Sequence, residues 1–178
     1  NQVYESISGT LQLDPAQGIG WEAPQALQTS SMAWGDWDGD GDLDLAFGNY
    51  SEGDDSSATG NALQLYENIS GTLQLDPARQ IGWRSHTTAP IQAIAWGDWD
   101  GDGDLDLAAG GGSHGDQEDA LLQVWVNNSE ATRPGDNTLA LGWERDSTQA
   151  PASREKPAGL AWADWDRDGD LDLVLANN

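Results

Sequence analysis

Along this chain, apolar and polar residues alternate in short runs, as in Leu43-Asp44-Leu45, Leu63-Gln64-Leu65-Tyr66 and Leu73-Gln74-Leu75. That period of two belongs to half-buried strands. No segment sustains a helical period. Gly, Pro, Asn and Asp collect between the runs, in Asp14-Pro15, Asp76-Pro77 and Gly110-Gly111-Gly112, and this is the chemistry of tight turns. The pattern predicts an all-β chain of short strands.

The pattern also repeats. The run Ala-Trp-Gly-Asp-Trp-Asp-Gly-Asp-Gly-Asp-Leu-Asp-Leu-Ala starts at Ala33, recurs unchanged at Ala95 and returns with small changes at Ala161, at offsets of 62 and 66 residues. A second block, Val3-Tyr4-Glu5 through Asp14-Pro15, matches Leu65-Tyr66-Glu67 through Asp76-Pro77. The third copy keeps Leu122-Gln123-Val124-Trp125, and Leu141-Gly142-Trp143 stands where the others have Ile19-Gly20-Trp21 and Ile81-Gly82-Trp83. A fixed period decides architecture before propensity does. We read residues 1–178 as one repeat domain with copies at about 1–48, 49–110 and 111–178, each ending in the Asp-rich hairpin. Four strands per copy is the content of a propeller blade. Ser51 to Gly60 and Gly110 to Asp119 differ between copies and read as variable surface loops.

Composition narrows the function. Thirty-one acidic residues against seven basic ones give a net charge of −24, which repels nucleic acid and anionic membrane surfaces. Ten Trp and the alternating aliphatic positions supply the apolar surface that a disordered acidic chain lacks. No cysteine is present, so disulfide stapling is closed and bound metal is the natural substitute. No apolar run approaches the roughly 20 residues that span a bilayer. A chain opening at Asn1 fits a processed or excised piece of a longer precursor.

The candidate chemistry lies in Asp36-Trp37-Asp38-Gly39-Asp40-Gly41-Asp42-Leu43-Asp44 and its copies at 98–106 and 164–172. Five carboxylates in nine residues repel one another unless a cation holds them. Calcium takes about 6–8 oxygens, which such a loop offers from alternate positions, the seventh normally through its backbone carbonyl and the sixth being Gly for a sharp turn. Gly41, Gly103 and Gly169 occupy that sixth position. The expected side-chain ligands are Asp36, Asp38, Asp40 and Asp44, then Asp98, Asp100, Asp102 and Asp106, then Asp164, Asp166, Asp168 and Asp172. Asp42, Asp104 and Asp170 hold the seventh position. Three calcium ions are expected. The twelfth position is Phe47, Ala109 or Leu175 rather than the Glu of an EF-hand. Zinc and copper prefer imidazole and thiolate ligands, which the loops lack.

These residues resemble the FG-GAP and VCBS repeat family, the calcium-loop blades of integrin α-subunit propellers and of many secreted bacterial proteins. The motif Asp-x-Asp-x-Asp-Gly-x-x-Asp occurs in all three copies. The resemblance implies three tandem four-stranded propeller-type blades, open or completed by another chain, in a secreted or cell-surface scaffold for adhesion, ligand binding or display. Family propellers commonly carry seven blades, so this chain also reads as a fragment of a longer one.

Trp34, Trp96 and Trp162 fit core packing, and Trp37, Trp99 and Trp165 fit packing between repeats or, in a calcium-dependent lectin-like alternative, stacking on a sugar. His86 and His114 sit in unlike contexts, and no nucleophile elbow or phosphate loop is present, so catalysis is not expected. Glu22 and Glu144 are acids outside the loops. Asn49, Asn68 and Asn127 each begin a sequon, open to a glycan on an exposed turn. Gln2-Val3-Tyr4-Glu5 is the strand that should follow an Asp loop, and none follows 171–176. Head-to-tail pairing of two copies through these segments, into a ring or filament, is therefore expected.

Overall fold

The computed structural model describes residues 1–25, 27–50, 62–85, 90–111, 122–128, 143–146 and 157–177. His86, His114, Leu141-Gly142, the side chain of Glu144, the loop 51–60 and residues 112–119 of the second variable loop lie outside these residues. Among the described residues the chain is all-β, with short antiparallel sheets, none closed on itself, and no α-helix.

The first large sheet contains β5 (Thr29–Gly35), β6 (Asp44–Asn49), β7 (Leu63–Ile69), β8 (Thr72–Gln74) and β9 (Trp83–Arg84). The second contains β10 (Ile91–Gly97), β11 (Asp106–Gly111), β12 (Leu122–Asn127) and β13 (Trp143–Asp146), and the third is the pair β14 (Pro157–Ala163) and β15 (Asp172–Asn177). Each sheet opens with the hairpin that carries an Asp loop. The three hairpins share one register, with Trp34 opposite Leu45, Trp96 opposite Leu107 and Trp162 opposite Leu173. Each has the same irregularity near its start, between Thr29 and Ser31, Ile91 and Ala93, and Pro157 and Gly159. Sheet boundaries thus fall ahead of the Asp loops.

Residues 1–25 form the counterpart of β7 to β9 without a hairpin beside it. β1 (Gln2–Val3) pairs with β4 (Trp21–Glu22), and β2 (Glu5–Ile7) with β3 (Thr10–Gln12). The hairpins β2–β3 and β7–β8 turn on Ser8-Gly9 and Ser70-Gly71, all at positive φ, the twist that matches paired strands in a two-residue loop. Short 3-10 turns follow at Pro15–Gln17 and Pro77–Arg79. Gly20 and Gly82 are then obligatory, because a Cβ on either would lie 2.3 Å from the carbonyl oxygen of Val3 or Leu65.

Sheets stack side by side through their first hairpins. The Trp96 indole donates to the Ala33 carbonyl and lies over Gly35, and the Trp162 indole donates to the Ala95 carbonyl and lies over Gly97. Between the first two sheets, Trp37, Ala46, Leu65, Ile94, Leu107 and Trp125 form one core. A second core joins residues 1–25 to the first sheet, with Trp21 and Val3 packed on Leu45, Phe47, Tyr66 and Leu73. Trp21 meets Tyr66 edge-on at 5.1 Å, as Trp83 meets Trp125 at 5.0 Å one sheet further on.

Candidate metal centre

Each Asp loop links the two strands of a hairpin, so strand pairing fixes its ends. Inside, two positions turn left-handed. The sixth is Gly41, Gly103 or Gly169, at φ of 96°, 98° and 101°, a backbone conformation that residues with side chains rarely adopt even though the space around it is open. The fourth is Gly39, Gly101 and, in the third loop, Arg167 at φ 66°.

The carboxylates pin the loop to itself. Gly41 N–H donates to Asp36 Oδ2 at 3.0 Å, Asp40 N–H to Asp38 Oδ1 at 3.2 Å and Asp42 N–H to Asp40 Oδ1 at 2.8 Å. The second loop repeats these bonds on Asp98, Asp100 and Asp102. In the third, Arg167 N–H donates to Asp164, Asp168 N–H to Asp166 and Asp170 N–H to Asp168. In the first three Asp of each loop, one carboxylate oxygen accepts a backbone N–H of the same loop.

Carboxylate oxygens of Asp36, Asp38 and Asp40 converge within 4.8 Å of one another, as do those of Asp98, Asp100 and Asp106 and those of Asp164, Asp166 and Asp172. Each group could hold a metal ion. The donor set fits a hard cation, all oxygen and formally anionic. Asp36 Oδ1 and Asp98 Oδ1 are buried and accept no hydrogen bond, a costly state for a carboxylate oxygen unless a cation meets it. Side chains of Asp42, Asp104 and Asp170 fall outside the converging groups, so the seventh position is left its backbone carbonyl. Asp102 and Asp168 also lie outside them, as does Asp44 in the first loop.

The ninth position has a further task. Asp44 accepts N–H groups from Trp37 and Asn68, and Asp106 from Trp99 and Asn127, so each carboxylate ties its loop to the third strand of the sheet. Asp172 accepts from Trp165 alone among the described residues. Burial pushes the Asp44 carboxyl up to about 7 against the bonds from Asn68 and Trp37, with the charges of Asp38 and Asp40 adding to the rise. Burial likewise lifts Asp106 to about 6, and raises Asp38 and Asp100.

These shifts set a pH dependence for the metal-free protein. A carboxyl that binds its proton more tightly when folded contributes stability in full below its ordinary value of 3.8 and loses it as pH rises through about 6 for Asp106 and about 7 for Asp44. In chelator the melting temperature is therefore expected to be higher near pH 5 than near pH 8. With calcium the order reverses, because the ion requires ionised carboxylates. Thermal melts in both solutions check this.

Two polar residues have structural roles that the sequence did not suggest. Asn127, 2% exposed, donates through Nδ2 to the Trp37 carbonyl at 2.7 Å and the Leu105 carbonyl at 3.3 Å, fastening the second sheet to the first Asp loop. Glu67 accepts the Gly82 N–H at 3.0 Å, and its carboxyl is raised by burial and by the charges of Asp38 and Asp40. The signal was the repeated Tyr-Glu of Tyr4-Glu5 and Tyr66-Glu67, and Glu5 likewise accepts from Gly20. Two of the three sequon asparagines do not lie on the exposed turns that a glycan needs. Asn49 and Asn127 are buried and Asn68 donates to the Leu43 carbonyl, so these asparagines serve the fold; a glycan on Asn49 or Asn127 has no space.

The loop tryptophans divide. Trp37 is 3% exposed in the core between sheets, Trp99 packs on Trp162 at 5.5 Å, and Trp165 is 85% exposed. Neither a family model nor a curated protein matches the chain.

Proposed function

We propose that this chain is a calcium-stabilised extracellular β-repeat scaffold of the FG-GAP and VCBS type, built from propeller-type blades and serving adhesion or assembly rather than catalysis. The observation that carries the reading is the convergence of three carboxylates in each of three loops, with Asp36 Oδ1 and Asp98 Oδ1 buried and unpaired. In this reading the ion supplies the missing positive charge. The residues do the rest: Asp36, Asp38 and Asp40, then Asp98, Asp100 and Asp106, then Asp164, Asp166 and Asp172 hold the cations, while Asp44 and Asp106 also tie their loops to the third strand of the sheet.

Calcium is favoured over magnesium because a flexible all-oxygen loop suits a large cation that accepts irregular geometry, whereas magnesium keeps its waters and demands an octahedron. Each loop also carries a tryptophan, Trp37, Trp99 or Trp165, next to its expected ligands. Terbium, a hard cation of similar preference, should then luminesce on tryptophan excitation. Calcium is expected to displace it at far lower concentration than magnesium. No sensitised emission, or equal displacement by both ions, would contradict the proposal. The lectin-like alternative keeps only Trp165 as a fully exposed loop platform among the described tryptophans.

A further inference from the structure

The counterparts β1 to β4 and β7 to β9 differ at one cross-strand pair. In the first, Gln2 lies opposite Glu22, and Gln2 Nε2 donates to Glu22 Oε1 at 3.2 Å. In the second, Gln64 on β7 lies opposite Arg84 on β9, with Leu65 and Trp83 in register beside them as Val3 and Trp21 are in the first. The exchange replaces an acceptor with a donor. Among Trp21-Glu22, Trp83-Arg84 and Trp143-Glu144, only the middle copy carries Arg.

The exchange leaves two donors without an acceptor. Gln64 is 1% exposed, yet its Nε2 makes no hydrogen bond, and Arg84 Nε is buried and equally unpaired. Opposite residues of antiparallel strands project on one face, so both donors stand on the same side of the sheet. Phe47 is the neighbour of Gln64 on β6. Tyr66 follows on the same face, near enough for the Arg84 charge to oppose the rise that burial gives its phenol. Although the chain carries a net charge of −24, Arg84 makes no ion pair among the described residues. A buried amide N–H and a buried guanidinium N–H each cost free energy until an acceptor meets them.

We propose that Gln64 and Arg84 form a binding site for a small free carboxylate, of formate or acetate size, which takes the part that the Glu22 carboxylate plays beside Gln2. An acceptor-only anion satisfies both donors at once, and the guanidinium supplies the opposite charge. Because Gln64 is buried, the ligand is one small enough to reach between side chains rather than dock on the surface. The site lies on the face where Phe47 and Tyr66 pack against Trp21 and Val3. No residue of the Asp loops belongs to it, so it stands apart from the ions they hold.

Formate is the probe. The chain of residues 1–178 in calcium perchlorate is titrated with sodium formate at constant ionic strength, perchlorate being a weak hydrogen-bond acceptor. Binding is read by saturation transfer from the protein to the formate proton, and is expected to saturate and to raise the melting temperature. Arg84→Glu restores the pair of the first copy, should stay folded by circular dichroism, and should weaken binding at least about a hundredfold, since a charge-assisted bond is lost and a repelling charge gained. Should that variant not fold, Gln64→Leu decides, with a loss of about tenfold. Benzoate, a bulkier carboxylate, should compete poorly. Absence of binding to the natural sequence would mean that the Gln64 amide turns its oxygen to Arg84 and the pair closes on itself, which overturns the proposal. Unchanged binding in either variant overturns it too, as does competition by benzoate equal to that of formate.

Discussion

Removing divalent ions is expected to lower the melting temperature of this protein by roughly 15–30 °C, and calcium is expected to restore it where magnesium does not. An ion held at about a hundred times its Kd stabilises the folded state by roughly 2.7 kcal/mol. Three such sites contribute roughly 8 kcal/mol, against a total of about 5–15 kcal/mol for an ordinary domain. For a chain of this size each kcal/mol moves the midpoint by about 2–4 °C. The structural reason is local: without a cation, Asp36 Oδ1 and Asp98 Oδ1 are buried without a partner, and Asp38 and Asp40 face one another. Calorimetry in chelator, calcium and magnesium checks the result, and an unchanged midpoint in chelator would refute the role given to the loops.

Two tryptophans at the same position of their Asp loops, Trp37 and Trp165, should respond very differently to truncation. Trp37→Ala empties the core between the first two sheets, where Trp37 packs with Ile94, Leu107 and Trp125 and offers its carbonyl to Asn127. Its cost should be about 3–5 kcal/mol, the usual range for a buried aromatic residue. Trp165→Ala removes a side chain that meets solvent, so its effect should lie within about 0.5 kcal/mol. Urea unfolding of both variants in saturating calcium measures the contrast. Similar losses in the two variants would mean that Trp165 is covered by a surface that leaves it open here.

This pair also shows where sequence reading ran out. Strands at Leu63 to Tyr66 and at Leu43 to Leu45 were legible because alternation needs only neighbouring residues, and the Asp loops because ligand spacing is local. Left-handed Gly41, Gly103 and Gly169 followed from the same spacing. Trp37 and Trp165 share the same Asp-Trp-Asp setting; what sets their burial apart is whether another sheet lies beside the loop. Asn127 illustrates the same limit, since its bond to Trp37 crosses 90 residues of sequence, and a three-residue motif suggested a glycan instead. The phase of the repeat was also hidden. Self-comparison fixes the period at 62 and 66 residues but not where a sheet begins, which hydrogen bonding places ahead of each Asp hairpin.

The central claim is that three loops each hold one calcium ion, and native mass spectrometry counts ions directly. The chain is expected to carry three calcium ions at saturation, and Asp40→Ala or Asp100→Ala should each carry two. Magnesium at equal concentration should leave the loops empty. A natural sequence that binds no calcium at millimolar concentration, or a full complement of three in both variants, would contradict the account.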